Sequence, residues 1–245
     1  MLFRSCGAGG LTNGLISSGI PVVAGFDIDE TCRHPFEVNN GAQFFNVDVS
    51  KVQPKQIRSL FGDADIRILA GGAPCQPFST YSQRYDVVGN EKWGLLYQFA
   101  RLVRGTLPEI VAMENVPSVE KHAVFSDFAQ ALRALGYKVE QTVVDCTKYG
   151  LPQTRRRMIL LASRIDAIGV ISPTHTKPVT VHRAIGRLPA IEHGETHPRD
   201  LLHAASELSD LNYKRIRASV PGGTQLLRRK RQNPSASANG SPVGA

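Results

Sequence analysis

One cysteine stands in a segment whose neighbours suit a reactive thiol. The segment GGAPCQPFS, residues 71–79, follows a run from Asp65 to Ala70 that has the pattern of a strand. An ionised cysteine is a strong nucleophile, and a turn at the carboxyl end of a strand opens onto the crevice where α/β sheets bind ligands. We therefore interpret Cys75 as a candidate nucleophile; the alternative is a small buried apolar residue.

Two other polar clusters also adjoin strand-like runs. In Glu114-Asn115-Val116, an acid at the sheet edge is placed for acid–base work, although glutamate is more often a solvated strand-end residue. In QTRRR, residues 153–157, we predict that Arg155 and Arg157 point to one face of a strand and Arg156 to the other. The alternative for these arginines is a solvated basic edge.

A glycine-rich turn, Cys6-Gly7-Ala8-Gly9-Gly10, joins the first predicted strand to the first predicted helix. Glycines let a ligand approach the backbone there, and the helix N–H groups face it. Asp27 follows at nearly the spacing at which a carboxylate binds ribose hydroxyls. Together they predict an adenosine-containing cofactor. Because no Gly-Lys-Ser/Thr sequence follows the glycines, the turn does not match a phosphate-binding P-loop.

Strand and helix patterns alternate from the first residue, which indicates an α/β fold with a parallel sheet and helices on both faces. The predicted strands span residues 1–5, 21–26, 43–47, 66–70 and 109–113, and the predicted helices span 11–18, 30–38, 95–103 and 124–135. Two later strands, 138–144 and 158–162, are close in sequence and are predicted to pair as an antiparallel edge.

Composition narrows the function classes. The chain has 245 residues and a net charge of +8, which favours an acidic partner such as nucleic acid. Its four cysteines and seven histidines lack the spacing of a metal site, and so few cysteines suit the reducing cytoplasm. No run approaches the roughly 20 apolar residues that cross a bilayer, so we expect a soluble protein without a membrane partner.

The motifs GGAPCQPFS, ENV and QTRRR, in this order, resemble the signatures of the cytosine-5 DNA methyltransferase family over about residues 1–225. The resemblance implies a Rossmann-like sheet that uses S-adenosylmethionine to methylate carbon 5 of cytosine in double-stranded DNA, with the base flipped out of the duplex. The implied cofactor-binding residues are Cys6, Gly7, Ala8, Gly9, Gly10, Asp27, Ile28, Asp48 and Pro74.

The same resemblance assigns the catalytic residues. Cys75 adds to carbon 6 of cytosine, and Glu114 holds the ring at nitrogen 3 and the exocyclic amine. Arg157 helps to hold the base, whereas Arg155 steadies the cysteine loop and the phosphates. Residues 78–92 resemble the family's mobile loop, which closes over the flipped base.

The predicted domains are a catalytic cofactor-binding domain over residues 1–163, a partial target-recognition module over 164–227, and a disordered basic tail over 228–245. Within the module, residues 179–189 and 211–223 resemble parts of the family's recognition region. Thus the expected fold is a Rossmann-like methyltransferase sheet with an incomplete second module.

Two features depart from the family pattern. Phe3-Arg4-Ser5 replaces the usual Asp-Leu-Phe before the glycine turn, and the last family motif is absent. We expect a truncation or a reading-frame change, or a split enzyme completed by a second polypeptide. Alternative functions are an inactive DNA-binding remnant and an RNA cytosine methyltransferase. A nicotinamide dehydrogenase would leave Cys75 and Glu114 unexplained.

Overall fold

The computed structural model describes residues 2–4, 6–72 and 94–219. The chain divides into two compact units, Met1–Val181 and His182–Ala245. The first unit contains one seven-stranded sheet of order β3-β2-β1-β4-β5-β7-β6. Its strands are β1 (Leu2–Arg4), β2 (Ala24–Asp27), β3 (Gln43–Asn46), β4 (Ile68–Gly72), β5 (Ile110–Asn115), β6 (Lys138–Asp145) and β7 (Arg156–Ser163). Its helices are α1 (Gly10–Ser17), α2 (Arg33–Asn40), α3 (Pro54–Phe61), α4 (Gly94–Thr106) and α5 (Ala123–Ala134).

The first five strands are parallel, and β7 runs antiparallel to both β5 and β6. The predicted α/β class and the predicted antiparallel pairing of β6 with β7 are therefore confirmed. Because β7 lies between β5 and β6, β6 forms one edge of the sheet and β3 forms the other. The carboxyl ends of the parallel strands share one edge with the start of β7, where Asn115 pairs with Met158.

Helices cover both faces of the sheet, as the alternation along the central strands requires. Leu69 and Val111 face a large core built with α3, α4 and α5, in which the rings of Phe99 and Phe128 stack at 5.4 Å. Ala70 faces a smaller core with α1 and α2. Each fully buried large apolar side chain contributes about 1.5–3 kcal/mol, so the larger core holds most of the apolar stabilisation.

Helix α3 is an element that the hydrophobic pattern did not predict. Its start carries local signals, since Pro54 occupies the first turn and Gln53 and Gln56 form a reciprocal capping box. Ile57 and Phe61, one turn apart, are buried. The capping signals, more than the short apolar pattern, could have revealed this helix.

Several predicted boundaries are corrected, and two of them matter for the site. The prediction ended the fourth strand at residue 70, but β4 continues through Gly72, because Gly71 and Gly72 pair with Met113 and Glu114 of β5. Strand β5 continues through Asn115, which places Glu114 inside a strand. The helix predicted over 30–38 is present as α2, but it begins at Arg33, after a 3₁₀ turn (Glu30–Cys32).

Residues 164–181 group with the sheet rather than with the later residues. The backbone N–H groups of Thr174 and His175 donate to the carbonyl of Lys148 at 3.1 and 3.0 Å, and Tyr149 donates its hydroxyl to the carbonyl of Ile171 at 2.9 Å. These bonds fasten the segment beside β6. The domain assignment made from the sequence stays a prediction.

The second unit carries little regular structure within its described residues. It contains α7 (Asp210–Arg217) and an isolated bridge between Thr196 and Ala204, and α6 (Val181–Ile185) begins at the boundary. The rings of His193 and Tyr213 lie 4.5 Å apart. Among the helices described, none has the length and apolar character to cross a membrane.

Candidate active site

The glycine turn after β1 is held in a shape that other residues would not adopt easily. Gly7 and Gly9 have positive φ angles of 51° and 91°, a region that favours glycine. A Cβ on Gly9 would collide with the side chain of Asn40 and lie 3.1 Å from Phe36 Cδ2. Helix α1 therefore begins close against α2, with its first N–H groups at the carboxyl edge of the sheet.

Asp27, at the end of β2, organises this turn. Its Oδ2 accepts a hydrogen bond from the backbone N–H of Gly7 at 2.9 Å, and its Oδ1 accepts one from Asp29 at 3.1 Å. Each carboxylate oxygen can accept a further donor. Ile28 follows with an exposed side chain. The structure thus brings together the glycine turn and the acid that the sequence predicted.

Cys6, predicted as part of the cofactor site, turns its side chain into the smaller core. It is buried beside β2, where a Cβ on Gly25 would come within 2.9 Å of its sulfur. Burial and, to a lesser extent, the nearby negative charge of Asp27 raise the pKa of the Cys6 thiol to about 12. Cys6 is therefore a neutral packing residue near neutral pH, and its side chain is unsuited to bind a ligand.

Space and polar groups at the turn fit an adenosine-type ligand. A Cβ on Gly7 or Gly10 would meet no atom within 4 Å, so the backbone is open to close approach. The hydroxyl of Thr12, in the first turn of α1, is buried and has no hydrogen-bond partner among the residues that the structure describes. Sequence reasoning missed Thr12, whose only signal is its place directly after the glycines.

Asp48, the second predicted acid, lies just beyond β3. Its Oδ1 accepts a hydrogen bond from the backbone N–H of Ser50 at 2.8 Å, which closes a tight turn. The carboxyl ends of β2 and β3 are neighbours in the sheet. Asp27 and Asp48 therefore follow adjacent strands at one edge, as the cofactor prediction requires.

Glu114 and Arg157 form an ion pair at the same edge, with 2.5 Å between Glu114 Oε1 and Arg157 Nε. Their side chains are 35% and 19% exposed, so both are accessible from solvent. Gly72 pairs with Glu114 in the sheet, and a Cβ on Gly72 would lie 3.7 Å from Glu114 Oε2. The pair therefore lies where β4 ends and the segment with Cys75 begins.

The neighbouring residue Asn115 fixes the direction in which the chain leaves β5. Its side chain is buried, and its Oδ1 accepts a hydrogen bond from the backbone N–H of Val116 at 2.8 Å. A 3₁₀ helix (Pro117–Lys121) follows immediately. The ENV sequence is thus a strand end whose amide stabilises the exit, leaving Glu114 at the surface of the site.

The arginine cluster separates into residues in three different environments. Arg157 reaches Glu114, and its Nη1 donates to the carbonyl of Arg156 at 2.8 Å. Arg156 lines a different cavity of about 650 Å³, together with Lys148. The prediction that Arg155 belongs to the strand is wrong, because β7 begins at Arg156. Its side chain is exposed.

Several predicted residues lie outside the described part of the chain: Pro74, Cys75, the loop 78–92 and the tail 228–245. Cys75 nevertheless follows Gly72 by three residues, and Gly72 pairs with Glu114. Within the described ranges, His, Cys, Asp and Glu residues form no cluster that could hold a metal ion.

Comparison with known proteins gives the family. Residues 2–241 match the family model described as C-5 cytosine-specific DNA methylase. The chain belongs to this family. It is 43% identical over 224 residues to the Type II methylase M.HgiDII of Herpetosiphon aurantiacus, covering 89% of this chain and 63% of that protein. It is 34% identical to the Type II methyltransferase M.XorII of Xanthomonas oryzae, covering 76% of this chain and 45% of that protein.

Solved structures agree on the fold. A protein assigned as a DNA modification methyltransferase, encoded within an E. coli prophage, is 25% identical and matches 80% of this chain and 56% of its own, with a TM-score of 0.67. The Dnmt2 methyltransferase of S. pombe is 21% identical, covers 69% of this chain and 50% of its own, and has a TM-score of 0.55. The family and fold predicted from the sequence are confirmed. The chain spans about half to two thirds of the length of these relatives.

Proposed function

We propose that the protein transfers a methyl group from S-adenosylmethionine to carbon 5 of cytosine in DNA. The observation that carries this proposal is the Glu114–Arg157 ion pair beside Gly72, at the start of the segment that holds Cys75. A carboxylate and a guanidinium next to a nucleophilic thiol suit a nucleobase that must be held and activated. Membership of the cytosine-5 family supports the same substrate.

The chemistry begins with cytosine, because its carbon 5 is too weak a nucleophile to accept a methyl group directly. The Cys75 thiolate adds to carbon 6, while Glu114 holds nitrogen 3 and the exocyclic amine and Arg157 holds the base. The new bond makes carbon 5 enamine-like. S-adenosylmethionine supplies the methyl group. Loss of the proton from carbon 5 then expels the thiolate and restores the aromatic ring.

The other half of the sheet edge would hold the cofactor. The open backbone at Gly7 and Gly10, the carboxylates of Asp27 and Asp48, and the buried hydroxyl of Thr12 support this assignment. Ile28 and Ala8 remain predicted contacts. Because Cys6 faces the core, only its backbone is available to a ligand there.

Double-stranded DNA is the proposed partner. A paired base cannot reach a pocket at the edge of a sheet, so the enzyme must rotate the cytosine out of the duplex. The exposed side chain of Arg155 is free to contact phosphates, and it needs no strand geometry to do so. A second polypeptide and the cytoplasmic location stay predictions from the sequence.

Covalent trapping tests the proposed nucleophile. Incubation with S-adenosylmethionine and duplex DNA containing 5-fluorocytosine should leave a protein–DNA adduct, since fluorine cannot leave carbon 5 as a proton does. The adduct is measured as a denaturation-resistant band by gel electrophoresis. Cys75→Ser should abolish the band, whereas Cys146→Ser, a matched free cysteine beyond the site, should retain it. An adduct of equal yield in Cys75→Ser would contradict the mechanism.

A further inference from the structure

We propose that Arg101 is a positioning residue for the S-adenosylmethionine site and acts by holding the turn that carries Asp48. This inference rests on the proposed function, because it concerns the same cofactor site. Arg101 lies on α4, far along the sequence from that turn. Its hydrogen bonds within the described residues reach neither Asp27 nor the glycine turn.

The contact is made by one guanidinium with three backbone carbonyls. Arg101 Nη2 donates to the carbonyls of Val49 at 3.2 Å, Ser50 at 3.2 Å and Val52 at 2.9 Å. Its Nε donates to Gln98 Oε1 at 2.7 Å, which fixes the plane of the group. A charged donor makes stronger hydrogen bonds than a neutral one. The guanidinium therefore clamps the whole turn from one side.

The turn after β3 is held in two ways: Val49 and Val52 are buried in the larger core, and Arg101 binds the backbone carbonyls of the turn. Strand β3 is an edge strand, so the residues that follow it have a neighbouring strand on one side only. Inside the turn, Ser50 donates its N–H to Asp48 Oδ1, and Lys51 donates its N–H to the carbonyl of Asp48 at 2.9 Å. These local bonds shape the turn but do not fasten it to the body of the sheet.

Helix α4 is suited to this task because it also contacts the catalytic half. The ring atoms of Phe99 lie 3.1–3.3 Å from the position that a Cβ on Gly71 would take, at the end of β4. Two residues further along the same helix, Arg101 reaches the turn after β3. One rigid element thus links the strand that leads to Cys75 with the turn that presents Asp48.

The pairing is unlike a structural salt bridge. Within the described residues, Arg101 forms no ion pair, and its hydrogen-bond partners there are all neutral oxygens. Its role is therefore to fix backbone position rather than to neutralise an acid. Removing it should loosen the presentation of Asp48 while leaving the core of α4 in place, since Leu102 and Val103 remain buried.

Calorimetric titration of S-adenosylmethionine into the full chain tests the role. Arg101→Met keeps the aliphatic stem and removes the donors, and it should raise the Kd by about tenfold, the scale of losing charged hydrogen bonds. Arg104→Met, an exposed arginine on the same helix, is the matched control and should bind like the wild type. Arg101→Lys keeps a charged donor, so it should recover part of the affinity.

A double-variant cycle distinguishes positioning from general loosening. If Arg101 acts through the turn, Arg101→Met should add little to the loss caused by Asp48→Asn, because both remove one shared interaction. Fully additive losses would overturn the proposal. So would wild-type affinity in Arg101→Met. Should Arg101→Met fail to fold, Arg101→Lys carries the cycle, with a loss of about threefold expected from its poorer fit to three carbonyls.

The two proposals can fail separately. Wild-type chain that binds S-adenosylmethionine but leaves cytosine carbon 5 unmethylated would contradict the proposed function alone. Wild-type chain that methylates DNA, together with an Arg101→Met variant of unchanged cofactor affinity, would contradict the positioning role alone.

Discussion

Strand β5 has a glutamate–arginine pair at each end, and the two pairs are built differently. At the amino end, Glu109 Oε2 accepts hydrogen bonds from the backbone N–H of Arg67 at 2.9 Å and from its Nε at 2.8 Å, and Oε1 accepts one from Nη2 at 2.5 Å. At the carboxyl end, Glu114 forms one ion pair with the described residues, from Oε1 to Arg157 Nε.

The difference separates a structural pair from a candidate catalytic pair. Arg67 also donates to the carbonyl of Leu107 at 3.3 Å, so Glu109 accepts three hydrogen bonds from Arg67 and the Arg67 side chain donates three. The hydrogen bonds from Arg67 lower the pKa of Glu109 to about 2. By contrast, no described residue donates a hydrogen bond to Glu114 Oε2. A pair joined by several hydrogen bonds holds the chain together, whereas a pair with one contact among the described residues keeps a carboxylate oxygen that can receive a substrate.

The largest expected effect is on the rate of methyl transfer, through the Glu114–Arg157 pair. Glu114→Gln should slow methyl transfer by roughly 10² or more, the scale of a general acid–base contribution, because the amide cannot replace the carboxylate at the base. Single-turnover transfer of a tritiated methyl group measures the rate. The Kd for S-adenosylmethionine and the free energy of unfolding should change little.

Glu120→Gln is the control for this variant, since Glu120 is an exposed acid shortly after β5. It should leave the transfer rate unchanged. A normal rate in Glu114→Gln, or a large loss of cofactor affinity with normal transfer, would remove Glu114 from the base site.

The Glu109–Arg67 pair should affect the stability of the fold rather than the rate of methyl transfer. Glu109→Gln should lower the free energy of unfolding by about 1.5–3 kcal/mol, the range for hydrogen bonds to charged groups, while leaving the single-turnover rate within about twofold. Urea denaturation measures the stability. If the variant is as stable as the wild type, or if it loses methyl transfer while staying folded, the division between the two ends of β5 is wrong.

A smaller effect should appear on acidification. The folded-state pKa of Glu109 is about 2, below the ordinary value of 4.5. The charged pair therefore stabilises the fold fully above about pH 4.5 and loses this contribution as the pH falls towards 2. The stability difference between wild type and Glu109→Gln, measured by urea denaturation from pH 6 to pH 2.5, should shrink over this range. A difference that stays constant would show that the Glu109 charge contributes nothing.

Much of the fold could be predicted from the sequence because buried parallel strands are short apolar runs bounded by turn residues. The β5 run was found in this way. Helix α3 was missed although Ile57, Leu60 and Phe61 lie against the core on one face, and the end of β4 was misplaced because Gly71 and Gly72 resemble turn residues. Their pairing with β5 sets that boundary, and a linear pattern does not contain it.

The site was predictable in its residue types more than in its contacts. The acids Asp27 and Glu114 were identified from their places after apolar runs, and the sheet brings each to the expected edge. The inward side chain of Cys6 and the clamp made by Arg101 were not predictable, because both depend on residues distant in sequence. Arg155 was placed in a strand because alternation cannot locate where a strand begins.

Strand β7 is antiparallel to both neighbouring strands and carries an arginine of the site near its start. The site is therefore sensitive to the insertion of a single residue there. Arg157 is the second residue of β7 and faces Glu114, while Arg156 lines the separate cavity with Lys148. One residue inserted between Arg157 and Met158, with the rest of β7 held in register, would exchange the faces of the two arginines. The same insertion before Arg155 would only lengthen the preceding loop. Evolution of this protein can therefore vary the length of that loop, but it cannot shift the start of β7 by one position without exchanging the two arginines.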